Sequence, residues 1–135
     1  MTMIEFSMIF DQIPAGTAQM KRYDGRSKIY FKSKKLQQTE DTYLNALREY
    51  APKTPVEGPV SVSISFWYRT PDKKKKGRPK TSRPDCDNVA KLLIDCMTKL
   101  GFWNDDSQIY SLRVTKHWAM ADRAMVSVSI VEEVL

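Results

Sequence analysis

Residues 83–106 read RPDCDNVAKLLIDCMTKLGFWNDD. Within this stretch Val89, Leu92, Leu93, Cys96, Met97 and Leu100 fall at i, i+3, i+4, i+7, i+8 and i+11. That spacing is one apolar stripe of an α-helix. Gly101 follows at the position where helices commonly end in the left-handed conformation, and Phe102 can close the turn with the hydrophobic contact that accompanies such an end. The opposite face is polar. At 100° per residue Asp87 and Lys91 lie nearly opposite the stripe, with Asp95 flanking them. Ile94 also falls on this polar side, where it is available to a subunit interface.

Working outward, residues 59–68, PVSVSISFWY, alternate strictly. Val60, Val62, Ile64 and Phe66 face one way; Ser61, Ser63, Ser65 and Trp67 face the other, as in a half-buried strand. Trp67 is thereby exposed opposite the core face, a second interface candidate. Downstream, residues 108–118 and 124–132 are strand candidates, separated by a turn at MADR, 120–123. Upstream, Ser33 is placed to cap a helix running to about Tyr50, with Leu36, Tyr43, Leu44 and Leu47 at helical spacing. Pro52 and Pro55 stop it. Residues 2–10 read as a strand. Residues 11–32, with Pro14, Gly16 and Gly25, read as a long loop with room for a short strand at Lys28–Phe31; loops of this length in compact domains are often functional. The order β–α–β–α–β–β predicts an α+β fold: one domain over residues 1–135, a mixed β-sheet with two main helices packed on it.

With 135 residues, 41% of them apolar, the chain can bury a core without staples. No apolar run approaches the roughly 20 residues that span a bilayer. The N-terminal MTMIEFSMIF lacks a basic start and is interrupted by Glu5 and Ser7, so a signal peptide is not expected, and a cytoplasmic location follows by default. Cys86 and Cys96, ten residues apart on one helix, point in different directions and are expected as free thiols. One histidine, His117, and no CxxC motif argue against a zinc site.

The net charge of +6 is concentrated. Residues 69–83, RTPDKKKKGRPKTSR, carry Arg69, Lys73, Lys74, Lys75, Lys76, Arg78, Lys80 and Arg83 against Asp72 alone, a local +7 that leaves the rest of the chain near −1. Such a segment is either a solvated loop or the footprint of a polyanion, and it has no apolar residue to insert into a membrane.

Two acidic pairs bracket the helix: Asp85 and Asp87 at its start, Asp105 and Asp106 beyond its end. The first pair has a structural explanation, since carboxylates favour helix N-termini. Grouped carboxylates have another. Like charges raise one another's pKa at a cost in stability, and a hard divalent cation such as Mg²⁺ removes that cost through oxygen ligands. Lys91 beside them would suit a scissile phosphate. Periodicity does not say whether the two pairs meet.

Residues 83–118, RPDCDNVAKLLIDCMTKLGFWNDDSQIYSLRVTKHW, resemble the core motif of RusA-type Holliday-junction resolvases. There a basic stretch leads into Asp-x-Asp-Asn, a Lys three residues later, an Asp-rich helix end, Gly-Phe-Trp and an Asp pair. Here these are Asp85, Asp87, Asn88, Lys91, Asp95, Gly101, Phe102, Trp103, Asp105 and Asp106. The resemblance implies a homodimer that cleaves four-way DNA junctions symmetrically with Mg²⁺, or Mn²⁺ in its place. It maps the metal-binding carboxylates onto Asp85, Asp87 and Asp106 and the catalytic lysine onto Lys91, with Asn88 and Asp105 in support. The eight cations of residues 69–83 are the expected DNA contacts, although the run is longer here, by KKKKGRPKTS, and less uniformly basic at Ser82-Arg83-Pro84. Phe102 and Trp103 are expected to pack under the helix end and position the Asp105–Asp106 loop, rather than stack on bases. Two rival readings stand beside this one: a non-catalytic DNA-binding protein, and a nuclease for forks, flaps or other branched DNA.

Overall fold

The computed structural model of the chain describes residues 2–16, 21–25 and 29–133. Strand β1 (Met3–Phe10) is followed by a hairpin of β2 (Lys21–Asp24) and β3 (Ile29–Lys32), helix α1 (Lys34–Leu47), β4 (Val60–Tyr68), α2 (Cys86–Lys99), β5 (Ile109–Trp118) and β6 (Ala124–Glu132). The main sheet is four-stranded, in the order β1-β6-β4-β5. It is mixed: β4 and β5 run parallel, while β6 is antiparallel to both β4 and β1. The parallel pair exists because α2 carries the chain back along the sheet between β4 and β5, as a parallel pair requires. The α+β class and the mixed sheet with two helices are as expected. The β2–β3 hairpin is an addition within what read as a loop; of the short strand expected at 28–31, Lys28 lies outside the described residues and the rest falls in β3.

Alternation decides which sheet face is buried. Val60, Val62, Ile64 and Phe66 of β4 and Ala124, Val126, Val128 and Ile130 of β6 are all at most 3% exposed. Against them lie Leu36, Tyr43 and Leu47 of α1 and Val89, Leu92, Leu93, Cys96 and Met97 of α2. Full burial of one such aliphatic or aromatic side chain contributes on the order of 1.5–3 kcal/mol, so this single layer dominates the stability. Ser33 caps α1 as expected, its hydroxyl accepting from the Leu36 N–H at 3.2 Å. Cys86 and Cys96 form no disulfide.

Ile94 does not lie on an open surface: it is only 8% exposed. The buried residues of α2 run from Leu92 and Cys96 round to Ala90 and Ile94, and on the far edge of that arc α1 packs on α2, where Lys99 reaches the buried Glu40 at 3.5 Å. The buried arc of α2 is therefore wider than the one stripe read from sequence, and Ile94 is removed from the interface candidates. Trp67 is half-buried on the other sheet face, stacked on His117 at 4.4 Å between ring centroids.

That other face carries no helix among the described residues. Strand register lays Glu5, Ser129, Ser63 and Arg113 in one row across it, Ser7, Ser127, Ser65 and Thr115 in the next, and Ile9, Met125, Trp67 and His117 in a third. No helix of the described chain is long and apolar enough to cross a membrane.

The basic segment leaves the C-terminal end of β4 and folds back onto the end of β5. Gly77 N–H donates to Trp118 O, Trp118 N–H to Arg78 O and Lys80 N–H to Lys116 O, each at 2.9 Å. Residues 77–80 thus cover the edge of β5, which would otherwise offer unpaired backbone groups. Gly77 has φ of +78°, and a Cβ there would stand 2.9 Å from the Met120 sulfur. The chain then enters α2, so the start of α2 and the basic segment share one end of the molecule.

Candidate active site

Helix α2 begins at Asp85, whose backbone is extended (φ −67°, ψ 151°) and whose carbonyl accepts from the Val89 N–H at 3.1 Å. An aspartate at this position ordinarily accepts from a first-turn N–H with its side chain. Asp85 makes no such bond, and it is exposed. Asp87, in the first turn, is exposed too, and so is Lys91 one turn on; Asn88 and Asp95 are half-buried. Asp85, Asp87, Lys91 and Asp95 have no hydrogen bond or ion pair among the described residues. The helix therefore presents an uncommitted acidic ridge with one cation in its middle, and for Asp85 simple side-chain capping is not what the residue does.

The far end of the helix is built to place the second acidic pair. Gly101, at φ +78°, donates its N–H to Thr98 O, and Phe102 N–H donates to Met97 O, both at 3.1 Å. This is the paired-bond helix ending that a left-handed residue permits. Phe102 and Trp103 are then buried, at 0% and 1% exposure. Trp103 Nε1–H donates to Thr98 Oγ1 at 2.8 Å, and Val56 N–H to Phe102 O at 3.0 Å. Both aromatics pack, as expected. Next, Asp105 accepts from Ser107 N–H at 2.9 Å, while Gln108 Oε1 accepts from the N–H groups of Asn104 and Asp105 at 2.8 and 2.9 Å. Gln108 Nε2 donates to the carbonyls of Val56 and Gly58 at 2.8 and 3.0 Å. One side chain thus ties the Asp105–Asp106 turn to the loop before β4. Gln108 was missed from sequence, although the Asp-x-x-Gln spacing is a capping-box signal.

The two aspartates differ in their electrostatics. Asp105 is held below the usual carboxylate range by the Ser107 N–H and hydroxyl, and then by its hydrogen bond with Asp106. Asp106 is pushed up by partial desolvation, by the same shared bond and the charge of Asp105, and by the charge of Asp95; only Lys91 opposes. Asp106 therefore senses the middle of the α2 ridge, with which its turn is in contact. Among the described residues, no three His, Cys, Asp or Glu side chains stand together as a ready-made ligand group. Asp106 comes within reach of the charges of Asp95 and Lys91, in the middle of the ridge, and Asp85 and Asp87 stand further along it toward the helix start. The donors are hard carboxylate oxygens, three of them unpaired and a fourth crowded by like charge. That set fits Mg²⁺, which commonly takes one or two carboxylates and completes its shell with water and phosphate oxygens.

The cations beside this ridge divide. Arg69, Lys73, Lys74, Lys75, Arg78 and Arg83 are exposed. Lys76 is half-buried and pinned to Asp122 and to Met120 O, both at 3.2 Å. The segment is an ordered turn structure rather than a loose loop: Lys74 N–H and Lys75 N–H donate to the side chain and carbonyl of Asp72, each at 3.0 Å. Lys75 lies over the Trp118 ring at 5.1 Å. Lys80 departs from the expectation of a DNA contact. It is 8% exposed, and its amino group donates to the Ser82 and Arg83 carbonyls instead of facing outward. Counting cations cannot reveal this, because burial of the long stem between Tyr68 and Trp118 takes the charge inside. Lys116 was also missed; its signal is a lysine on the core-facing positions of β5.

A family model described as endodeoxyribonuclease RusA matches residues 12–130. The chain is similar to a crossover junction endodeoxyribonuclease of Lactococcus phage r1t, 37% identical over 117 residues, covering 83% of this chain and 86% of the phage protein. It is 31% identical over 91 residues to the uncharacterized protein YqaN of Bacillus subtilis strain 168, covering 59% of this chain and 63% of that one. A shorter match, 47% identical over 38 residues, joins it to the crossover junction endodeoxyribonuclease RusA of Escherichia coli K12, covering 28% of this chain and 32% of that protein.

Proposed function

The chain belongs to the RusA family of endodeoxyribonucleases, and from that premise we propose that it resolves four-way DNA junctions by paired, symmetric phosphodiester hydrolysis, as a Mg²⁺-dependent homodimer. The observation that carries the proposal is the uncommitted ridge Asp85–Asp87–Lys91–Asp95, with Asp106 beside it and an ordered basic segment at the same end of α2. Asp85, Asp87 and Asp106 are the residues that hold the metal, with Asp105 fixing the turn that carries Asp106. Bound Mg²⁺ supplies a water of lowered pKa and neutralises charge developing on the phosphate; Mn²⁺ substitutes. Lys91 places its ammonium against the scissile phosphate, where it stabilises negative charge. The exposed cations of residues 69–83 hold flanking backbone and offset the repulsion between DNA and the acidic ridge.

Two cuts per junction call for two sites, and a two-fold dimer provides them. The sheet face that carries no helix among the described residues supports such a dimer. Its small serine rows permit close approach, and one row ends in Glu5 at the β1 edge and Arg113 at the β5 edge. A two-fold axis parallel to the strands sets each Glu5 opposite the partner copy's Arg113. The same axis brings both basic segments and both α2 starts to one end of the dimer, where a single junction can meet them.

The test is cleavage of a mobile synthetic four-way junction and a matched duplex, with Mg²⁺, with Mn²⁺ and with chelator, by wild type and by Asp87→Asn. Metal-dependent cleavage of the junction alone, absent in Asp87→Asn while junction binding persists, is the expected result. Junction binding with no cleavage by wild type in either metal would leave the non-catalytic reading.

A further inference from the structure

Two lysines at the entry to α2 point inward. Lys80 Nζ donates to the Ser82 carbonyl at 3.0 Å, to the Ser82 hydroxyl at 2.9 Å and to the Arg83 carbonyl. Lys116 Nζ, arriving from β5, donates to the same Ser82 carbonyl at 2.8 Å and to the Pro84 carbonyl at 2.5 Å. Three consecutive carbonyls are thus turned toward two ammonium groups. The two lysines are also registered to each other through the main chain, Lys80 N–H to Lys116 O at 2.9 Å. Rings hold Lys80 in place: its Nζ lies 4.7 Å from the Tyr68 centroid and 5.1 Å from that of Trp118.

This arrangement has a cost. Burial, then the charges of Lys116 and Lys75, push the Lys80 amino group below its usual range. A lysine in a segment this exposed has open solvent available, so the inward geometry must be offset by what the carbonyls gain. The residue that follows them is Asp85, which occupies the helix N-cap without using its side chain to cap. With Ser82–Pro84 tied down from behind, the chain enters the helix at a defined angle and the Asp85 carboxylate is left exposed.

We propose that Lys80 and Lys116 are positioning residues, a carbonyl clamp that fixes the Ser82–Pro84 backbone and so presents the Asp85 carboxylate free of helix capping, and that Lys80 contacts no phosphate. The catalytic consequence rests on the nuclease reading above; the clamp itself does not. Outer partners that orient metal ligands typically change metal affinity or activity by about 10–100-fold when removed.

The experiment compares wild type, Lys80→Gln and, as a control for an exposed cation, Lys74→Gln. Three quantities are read: amide hydrogen exchange at Val89, Mn²⁺ binding by calorimetry without DNA, and the salt dependence of junction binding in Ca²⁺. For Lys80→Gln, the Val89 amide exchanges faster, Mn²⁺ affinity falls about tenfold, and the slope of log K against log salt is unchanged. For Lys74→Gln, the slope flattens by roughly 0.9 while exchange and Mn²⁺ binding hold. Cleavage at saturating junction falls for Lys80→Gln with KM unaltered. A Lys80→Gln variant with the flattened slope, unaltered Val89 exchange and unaltered Mn²⁺ affinity overturns the proposal and makes Lys80 an ordinary phosphate contact. If Lys80→Gln does not fold, Lys116→Gln takes its place, since it removes bonds to Ser82 and Pro84 from a partly exposed side chain. Wild type that binds no Mn²⁺ refutes the metal-nuclease reading, while exchange and salt slope still decide on the clamp.

Discussion

Asp106 shows what single residues contribute here. Its carboxyl is raised above the usual range by desolvation and by Asp105 and Asp95. A carboxyl whose folded pKa is raised favours folding while it is protonated, and that contribution fades as pH rises through the raised pKa. Asp105, held low by Ser107, contributes in the opposite sense: its stabilisation is present above the ordinary aspartate pKa and is lost as pH falls through the depressed value. Asp106→Asn is therefore expected to unfold at the same or a slightly higher temperature than wild type in chelator at about pH 7, and to lose cleavage. Thermal melts across about pH 4–7 check the sign, since the variant should lack the part of the wild-type decline that accompanies Asp106 ionisation. A clear drop in metal-free stability at neutral pH would show that Asp106 forms a stabilising contact as an anion. Junction affinity measured in Ca²⁺ separates loss of chemistry from loss of binding.

Among elements, the connection from α2 to β5 is built as a rigid bracket. Gly101→Ala places a Cβ on a residue at φ +78° and is expected to cost about 1 kcal/mol, read by denaturant unfolding. The Cβ itself meets only Pro55 Cγ, at an ordinary 3.7 Å, so the cost is conformational. Gln108→Ala removes the ties to Val56, Gly58, Asn104 and Asp105 and is expected to cost about 1–3 kcal/mol. Cleavage should fall in both variants with junction binding intact; retained cleavage in Gln108→Ala would show that the turn holds Asp106 without it. The basic segment behaves differently. Changing Lys73, Lys74 and Lys75 to Gln should flatten the salt slope by up to about 0.9 for each phosphate no longer neutralised, and weaken duplex and junction binding together. An unchanged slope would reduce the segment to a solvated turn. These elements also show what sequence can and cannot convey. The α2 stripe, the strict alternation of β4 and the Gly-Phe-Trp ending each follow from local periodicity or a single backbone requirement, and each is in the structure. Of the β2–β3 hairpin, β3 overlaps the short strand expected at 28–31, while β2 escapes because KRYD is only four residues long, within a stretch that reads as loop. Ile94 escapes because the buried arc of α2 is wider than the one stripe that apolar periodicity marks. Lys80 escapes because net charge says nothing about which way an amino group points.

For the whole molecule, the sheet has one face closed by helices and one that carries no helix among the described residues, and the proposed paired cleavage needs two sites per junction. Arg113→Glu is expected to weaken self-association in sedimentation, and Glu5→Arg likewise, while the double exchange restores it; additive losses in the double variant would place the interface elsewhere. The site is only partly legible at this scale. Residue identities and their spacing nominate Asp85, Asp87, Lys91 and Asp106 for the proposed site, but the placement of Asp106 beside Asp95 and Lys91 depends on the helix ending, the Gln108 ties and the crossover that lays β5 beside β4. The most direct measurement uses supercoiled plasmid carrying an extruded cruciform, incubated with wild-type protein with and without Mg²⁺. Linear product is expected, with cuts at symmetric positions on opposing strands of the four-way junction, and nothing without metal. Intact plasmid under metal, or nicks placed without regard to the cruciform, would contradict junction resolution by paired cleavage.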